Sequence, residues 1–209
     1  MQANSIPRST WIILGVVLLV LAILTGVFVT NSLRQEDSGT GGIQVLAGRS
    51  YEPDRSTPTR PVPVCELISQ DELEIVLNRQ VGGGIPSTSN NPLGETICVF
   101  PDPENPEHTL AQIGMVYTQS MAPFLVENGY TVEQLLDGRN IGGGQTENVD
   151  DVGDKAFWGG SGQEIWNGLH VLVWDVYIDI DISSGDSGSD LDYAKTVAGI
   201  ILAELYPPR

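Results

Sequence analysis

Histidine, cysteine and basic residues are scarce in this sequence, and each shortage argues against a class of chemistry. The 209 residues include two histidines, two cysteines and ten lysines or arginines. Neither His108 nor His170 stands in a motif with a serine or cysteine, and the glycine-serine-glycine at 160–162 lacks the G-x-S-x-G frame of many hydrolases. The glycine triplets at 82–84 and 142–144 lack the lysine of a phosphate-binding loop and are predicted to be turns. We therefore expect no enzymatic activity and no cofactor, with a hydrolase as the less favoured alternative.

The shortage of positive charge also limits the partners. Acidic residues outnumber basic ones 27 to ten, which gives a formal net charge of -17. The excess lies beyond residue 63, where five basic residues stand against 23 acidic ones. Such a surface repels phosphate backbones, so we expect no nucleic-acid partner. A protein with a basic face fits it better. The alternative, that the charge only keeps an exported domain soluble, stays open.

Residues 11–30 are uncharged and predominantly apolar, WIILGVVLLVLAILTGVFVT. Twenty helical residues span roughly 30 Å, the thickness of a bilayer hydrocarbon core. The exit from this run lacks the small-x-small cleavage site of a secretory signal. We expect an uncleaved, single-pass anchor after a short head at 1–10, with cleavage as the alternative. The charges of Arg8 and the amino terminus favour a cytoplasmic head, so the bulk of the chain is predicted to be extracytoplasmic at the cell membrane.

Residues 31–63 are rich in glycine, proline, serine and threonine and have few apolar side chains to bury. This composition predicts a flexible linker with a root-mean-square reach of roughly 30 Å. The folded domain is predicted to occupy 64–209.

The domain is predicted to be α+β, with an antiparallel sheet of about five strands and helices packed on one face. A capping box formed by Ser69 and Glu72 predicts a helix over 69–79, and a stripe of apolar residues predicts a last helix over 190–205. Two short helical pieces are expected within 120–137, since Pro123 and Gly129 interrupt that stretch. Runs rich in β-branched and aromatic residues predict the strands, at 95–100, 109–118, 155–158, 164–167 and 169–183.

The stretch VYIDIDISSGDSGSDLD, residues 176–192, is rich in aspartate. It fails the pattern of an EF-hand calcium loop, because the glycine falls one place late and the last position is not glutamate. Residues 177–182 alternate as a strand with one dry and one wet face, so Asp179 and Asp181 are predicted to point to solvent. An irregular metal site at Asp179, Asp181 and Asp186 is the weaker alternative, and acid–base chemistry is weaker still.

Cys65 and Cys98 are the only cysteines, in a domain predicted to lie outside the cytoplasm. The compartment and the even count favour a disulfide between them. A free, buried pair is the alternative.

Three tryptophans, Trp158, Trp166 and Trp174, fall in the predicted late strands. They could line a ligand pocket between the sheet and the helices, which would suit a small-ligand carrier or sensor. The alternative, that they fill the core, stays open.

Three short motifs occur in an informative order: CELI at 65–68 before the capped helix, CVF at 98–100, and VGDKAFW at 152–158 before the late strands. This order resembles a family of small bacterial cell-envelope lipoproteins, common in actinobacteria, whose domain has no assigned function. The resemblance covers roughly 64–206. The chain departs from the family by having an anchor and no lipid-attachment cysteine after the apolar run. The resemblance implies an extracytoplasmic envelope domain and supplies no catalytic residues.

These observations favour a membrane-anchored extracytoplasmic binding or interaction domain. Its predicted contacts are the membrane, through the anchor, and an envelope protein with a basic face.

Overall fold

The computed structural model describes residues 55–88, 91–140, 146–160 and 168–207, all within one compact unit, Val45–Arg209. The predicted head, the anchor at 11–30 and most of the linker lie outside the described residues. Within the described ranges, no helix is both long enough and apolar enough to cross a membrane.

The first helix, α1 (Gln70–Leu77), begins where the sequence predicted. Ser69 Oγ accepts a hydrogen bond from the backbone N–H of Glu72, and the Glu72 carboxylate accepts one from the backbone N–H of Ser69. This capping box satisfies two backbone donors that the first turn leaves free. The helix ends at Asn78, which has the left-handed conformation (φ 49°) that asparagine tolerates better than most residues.

Seven strands form one antiparallel sheet in the described part of the chain, in the order β1-β2-β3-β7-β6-β5-β4. Their bounds are β1 Ile85–Thr88, β2 Thr96–Pro101, β3 Thr109–Tyr117, β4 Thr146–Asn148, β5 Lys155–Gly159, β6 Gly168–Val173 and β7 Val176–Ile182. The predicted run 169–183 is thus two strands joined by a turn at residues 174–175, and the predicted strand 164–167 lies outside the described residues. The α+β class is confirmed, but the count of about five strands is wrong. Besides the division of the run 169–183, the strands β1 and β4 were not predicted; both are short edge strands with little β-pattern.

The described residues form three further α-helices: α2 (Pro123–Glu127), α3 (Val132–Asn140) and α4 (Asp190–Leu205). The two short helices confirm that the stretch is interrupted, although α3 runs past the predicted end at 137. The long α4 confirms the predicted last helix.

Helices cover both faces of the sheet, so the predicted one-sided arrangement is wrong. One face forms the larger core with α1 and α4, using alternate β7 residues such as Ile178 and Ile180, both fully buried. The opposite face forms a smaller core in which Tyr177 packs with Val132 and Leu136 of α3. Because successive side chains of a strand point to opposite faces, the centre of the sheet has apolar side chains on both faces. Each face is buried by its own helices.

The disulfide between Cys65 and Cys98 is present, with the two Cα atoms 5.3 Å apart. It joins the 3₁₀ turn Val64–Glu66, just before α1, to β2. Cys98 is fully buried in the larger core. The bond therefore fixes the start of the domain to the sheet.

The end of the predicted linker packs on the domain. Asp175 accepts hydrogen bonds from the backbone N–H of Thr59 (2.8 Å) and from its hydroxyl (2.5 Å). The backbone N–H of Val62 donates to Tyr117 Oη at 3.2 Å, and Val62 also contacts the larger core. Residues 59 and 62, which belong to the predicted linker, thus contact the domain.

Candidate functional site

Side chains of β6 and β7 that face α3 form a polar group in the middle of the sheet. The two strands are antiparallel neighbours, and their register places His170 directly opposite Asp179. Tyr177 lies two residues before Asp179 and therefore shares its face of β7. We call His170, Tyr177 and Asp179 the buried triad.

His170 is the central member of the buried triad, and its side chain has no exposure to solvent. Its Nε2 lies 2.9 Å from the backbone oxygen of Gly159. Its Nδ1 lies 2.8 Å from Tyr177 Oη and 3.2 Å from Asp179 Oδ1. The imidazole also stacks on Phe157, with ring centroids 4.5 Å apart. Both ring nitrogens therefore have polar neighbours, as a buried histidine requires.

The surroundings of the buried triad favour its neutral forms. Burial raises the pKa of Asp179 to about 7; the nearby Arg139 charge opposes this rise, and the Glu95 charge adds to it. Burial, helped by the Asp179 charge, also raises the pKa of Tyr177 well above its usual value, although the nearby Arg139 charge opposes this rise. A low-dielectric site disfavours the charged form of each group.

Glycine makes room for a second carboxylate beside the buried triad. Gly114 of β3 pairs with Asp179, and a Cβ atom added there would lie 3.1 Å from Glu95 Oε1 and 3.7 Å from the Cβ of Asp179. The side chain of Glu95 thus lies over the position that a larger residue at 114 would occupy. This proximity explains why the Glu95 charge acts on Asp179.

Asp181 continues the polar face of β7 toward the end of the strand. Burial raises its pKa to about 6, and the charges of Asp179 and Asp190 raise it further. The prediction that Asp179 and Asp181 share one face is confirmed, but their predicted exposure is wrong. The Asp179 side chain is 14% exposed, and Asp181 is half-buried. The alternating pattern could not reveal that α3 and Glu95 shield the face of β7 that was predicted to be exposed to solvent.

Asp186 lies in the exposed turn before α4. It accepts hydrogen bonds from the backbone N–H of Gly188 (3.2 Å) and from Ser189 Oγ (2.9 Å). Among the described residues, no group of three or more histidine, cysteine, aspartate or glutamate side chains is arranged to hold a metal ion. The hydrogen bonds of Asp186 therefore stabilise the turn in which it lies.

The tryptophans predicted to line a pocket occupy separate places. Trp158 of β5 is half-buried against the larger core. Trp174 lies in the turn between β6 and β7, 37% exposed, with its backbone N–H donating to Asp154 and Arg55 over its ring. Trp166 lies outside the described residues. The structure thus does not bring Trp158 and Trp174 together.

The chemistry open to the buried triad follows from its burial. Imidazole, phenol and carboxyl groups can exchange a proton among themselves at these distances. Because His170 is fully enclosed, however, it cannot touch a molecule bound at the surface. The arrangement is suited to holding a proton inside the domain.

A second feature, which sequence reasoning missed, lies on the surface at α2. Phe124, Val126 and Tyr130 are 55%, 42% and 45% exposed. Leu125, between them, packs against the smaller core. We call Phe124, Val126 and Tyr130 the α2 surface. The sequence signal was present, since Pro123 and Gly129 leave too short a helix to bury apolar residues on more than one side.

Comparison with protein families, curated proteins and solved structures gives no indication of function. The likeness to envelope lipoproteins therefore stays a prediction from three short motifs. No family model, no curated protein and no solved structure matches this chain.

Proposed function

We propose that the protein is a membrane-anchored extracytoplasmic binding domain, and that it binds a protein partner with a basic face through the α2 surface. The observation that carries this proposal is the grouping of exposed apolar side chains. Of the six large hydrophobic residues exposed in the described part of the chain, three fall within 124–130. Exposed apolar groups that cluster in this way are typical of interaction sites.

The composition of the α2 surface suits protein recognition. Phe124 and Tyr130 are aromatic, and aromatic residues are enriched at interfaces because each supplies a large contact area from a side chain with few rotatable bonds. Leu125 anchors the segment to the smaller core, so the surface is presented on a fixed support. Less ordering is then needed when a partner binds, which favours affinity.

The charges beside the α2 surface favour a basic partner. The segment 123–140 contains three acidic residues, Glu127, Glu133 and Asp137, and one basic residue, Arg139. Arg139 is half-buried, and its charge lies close enough to Tyr177 to lower the pKa of that phenol. Glu133 pairs with Lys155, whereas Glu127 is an exposed residue at the end of α2. Complementary charge on a partner would raise the association rate and favour the correct pairing.

The same charges argue against direct contact of this surface with lipid. Cytoplasmic and envelope membranes that carry anionic headgroups repel carboxylates. Contact with the membrane is therefore assigned to the anchor at 11–30, and no catalytic role or cofactor is proposed.

A site-specific crosslinking experiment tests the proposal. A photoreactive amino acid is placed at Phe124 or Tyr130 of the full-length protein in its native membranes, and at Ile75 of α1 as a control. Ile75 is 57% exposed and equally apolar, but lies outside the α2 surface. We expect one partner to be captured from 124 and 130 but not from 75, and its crosslinked peptide to carry net positive charge.

Two matched substitutions complete this test. Phe124→Ser should abolish capture from position 130, whereas Ile75→Ser should leave it unchanged. Equal capture from all three positions, no capture from 124 and 130, or an acidic crosslinked peptide would contradict the proposal.

A further inference from the structure

The geometry of the buried triad fixes where its protons lie. The backbone oxygen of Gly159 can only accept a hydrogen bond, so His170 Nε2, 2.9 Å away, carries a hydrogen. The other ring nitrogen, Nδ1, faces both Tyr177 Oη and Asp179 Oδ1. Tyr177 can donate its hydroxyl hydrogen to Nδ1 while that nitrogen carries no hydrogen, because Nδ1 then has one free lone pair. A hydrogen bond between Nδ1 and Asp179 needs one further proton.

That further proton has two possible positions. On Nδ1 it makes an imidazolium that donates to the Asp179 carboxylate. On Asp179 it makes a carboxylic acid, which then shares the single lone pair of Nδ1 with the Tyr177 hydroxyl. With the proton absent, a carboxylate oxygen lies 3.2 Å from Nδ1, which has no hydrogen to donate to it, and this is repulsive in a largely buried site.

The buried triad also supports α3. Tyr177 is the residue that links the two, because its ring packs with Val132 and Leu136 of α3 and its hydroxyl contacts His170. The charge of Arg139, near the end of α3, acts on the same phenol. A change in the position of Tyr177 would therefore disturb the packing of α3 on the sheet.

We propose that His170, Tyr177 and Asp179 form a proton-operated latch, which holds α3 on the sheet while the shared proton is bound and releases it when the proton is lost. The inference is independent of the proposed binding function. It assigns to the domain a structural response to the pH of its surroundings.

The charged groups that face Asp179 decide the pH at which the latch opens. Arg139 of α3 favours loss of the proton, while Glu95, which precedes β2, opposes it. Asp181, on the same face of β7, is a further acidic neighbour. Burial is the largest influence and also favours the protonated form. The net effect is to raise the pKa of Asp179 from 3.8 to about 7.

The sign of the pH effect follows from this rise. A group whose pKa is higher in the folded state than in the unfolded state stabilises the fold at low pH. That stability is lost as the pH rises through the folded-state pKa. For Asp179, the loss between pH 5.5 and pH 8.5 corresponds to about a thirtyfold increase in the equilibrium constant for opening.

Amide hydrogen exchange of the full-length protein in detergent tests the latch. Exchange is followed by mass spectrometry in peptides from 132–140 and, as an internal reference, from α4 at 190–205. After correction for intrinsic exchange rates, we expect the opening constant of α3 to rise about thirtyfold from pH 5.5 to pH 8.5, with a midpoint near 7. Protection of α4 should change much less. An α3 opening constant that is the same at both pH values would overturn the proposal.

Two variants and a control show whether Asp179 is responsible. Asp179→Asn provides a permanent amide donor to Nδ1, so its α3 opening constant should lose the thirtyfold dependence on pH. Glu204→Gln removes one exposed carboxylate from α4 and should behave as the wild type. Glu95→Gln keeps Asp179 but removes a charge that raises its pKa, so the midpoint should fall below the wild-type value. A full pH response in Asp179→Asn, or an unmoved midpoint in Glu95→Gln if the first variant does not fold, would refute the latch.

Discussion

Removal of the disulfide offers the most direct test of how the domain is stabilised. The bond between Cys65 and Cys98 closes a loop of 33 residues. In the chain-entropy model a crosslink restricts the unfolded chain, and a loop of this length corresponds to about 3.7 kcal/mol at room temperature. Domains of this size are usually stable by about 5–15 kcal/mol, so the bond accounts for a substantial part of the total.

The perturbation is the double variant Cys65→Ala/Cys98→Ala, measured by urea unfolding of the full-length protein in detergent. We expect the free energy of unfolding to fall by about 3.7 kcal/mol. The urea dependence should become steeper, because the unfolded chain without its crosslink exposes more surface. Tryptophan fluorescence provides the signal.

A chemical control separates the crosslink from the packing of the two side chains. Reduction of the wild type should cause a loss of similar size, whereas the reductant should leave the double variant unchanged. Because Cys98 is fully buried, its replacement by alanine also removes some contacts, so the variant should be slightly less stable than the reduced wild type. A loss below about 1 kcal/mol in both measurements would refute the reasoning from loop length.

Three further predictions concern separate parts of the fold. Ser69→Ala removes the capping box with Glu72 and should lower the free energy of unfolding by about 1 kcal/mol, measured by urea unfolding. Ile201→Ala empties a fully buried position of α4 and should cost about 2–5 kcal/mol in the same assay; a loss under 1 kcal/mol would contradict the packing. The pKa of Asp181 is raised from 3.8 to about 6, so its contribution to stability is lost as the pH rises through about 6. Asp181→Asn should therefore be more stable than the wild type at pH 8 but not at pH 3, a difference that Glu204→Gln should not show.

The elements that sequence reasoning predicted are those with a local cause. The start of α1 follows from the side chains of Ser69 and Glu72, which lie three residues apart. The alternation of residues 177–182 follows from strand geometry. The disulfide follows from the number of cysteines and the predicted compartment.

The elements that it missed depend on contacts distant in sequence. β1 and β4 are short and polar or proline-containing, and they are strands because they pair with the stronger strands β2 and β5. Asp179 alternates as a solvent-facing residue, and only α3 and Glu95, from other parts of the chain, shield it. Tertiary context of this kind cannot be read from periodicity.

The position of β7 determines when the domain can fold. The strands β1, β2 and β3 form one consecutive meander and β4, β5 and β6 another, and β7 lies between β3 and β6. The pairing of Ala111 with Ile182 shows how far apart in sequence the joined strands lie. During synthesis, before β7 has left the ribosome, the chain can form only two separate half-sheets. The edges of β3 and β6 that β7 will join are then unpaired. The sheet can therefore be completed only after nearly the whole chain has been synthesised. Such long-range pairing makes folding slow.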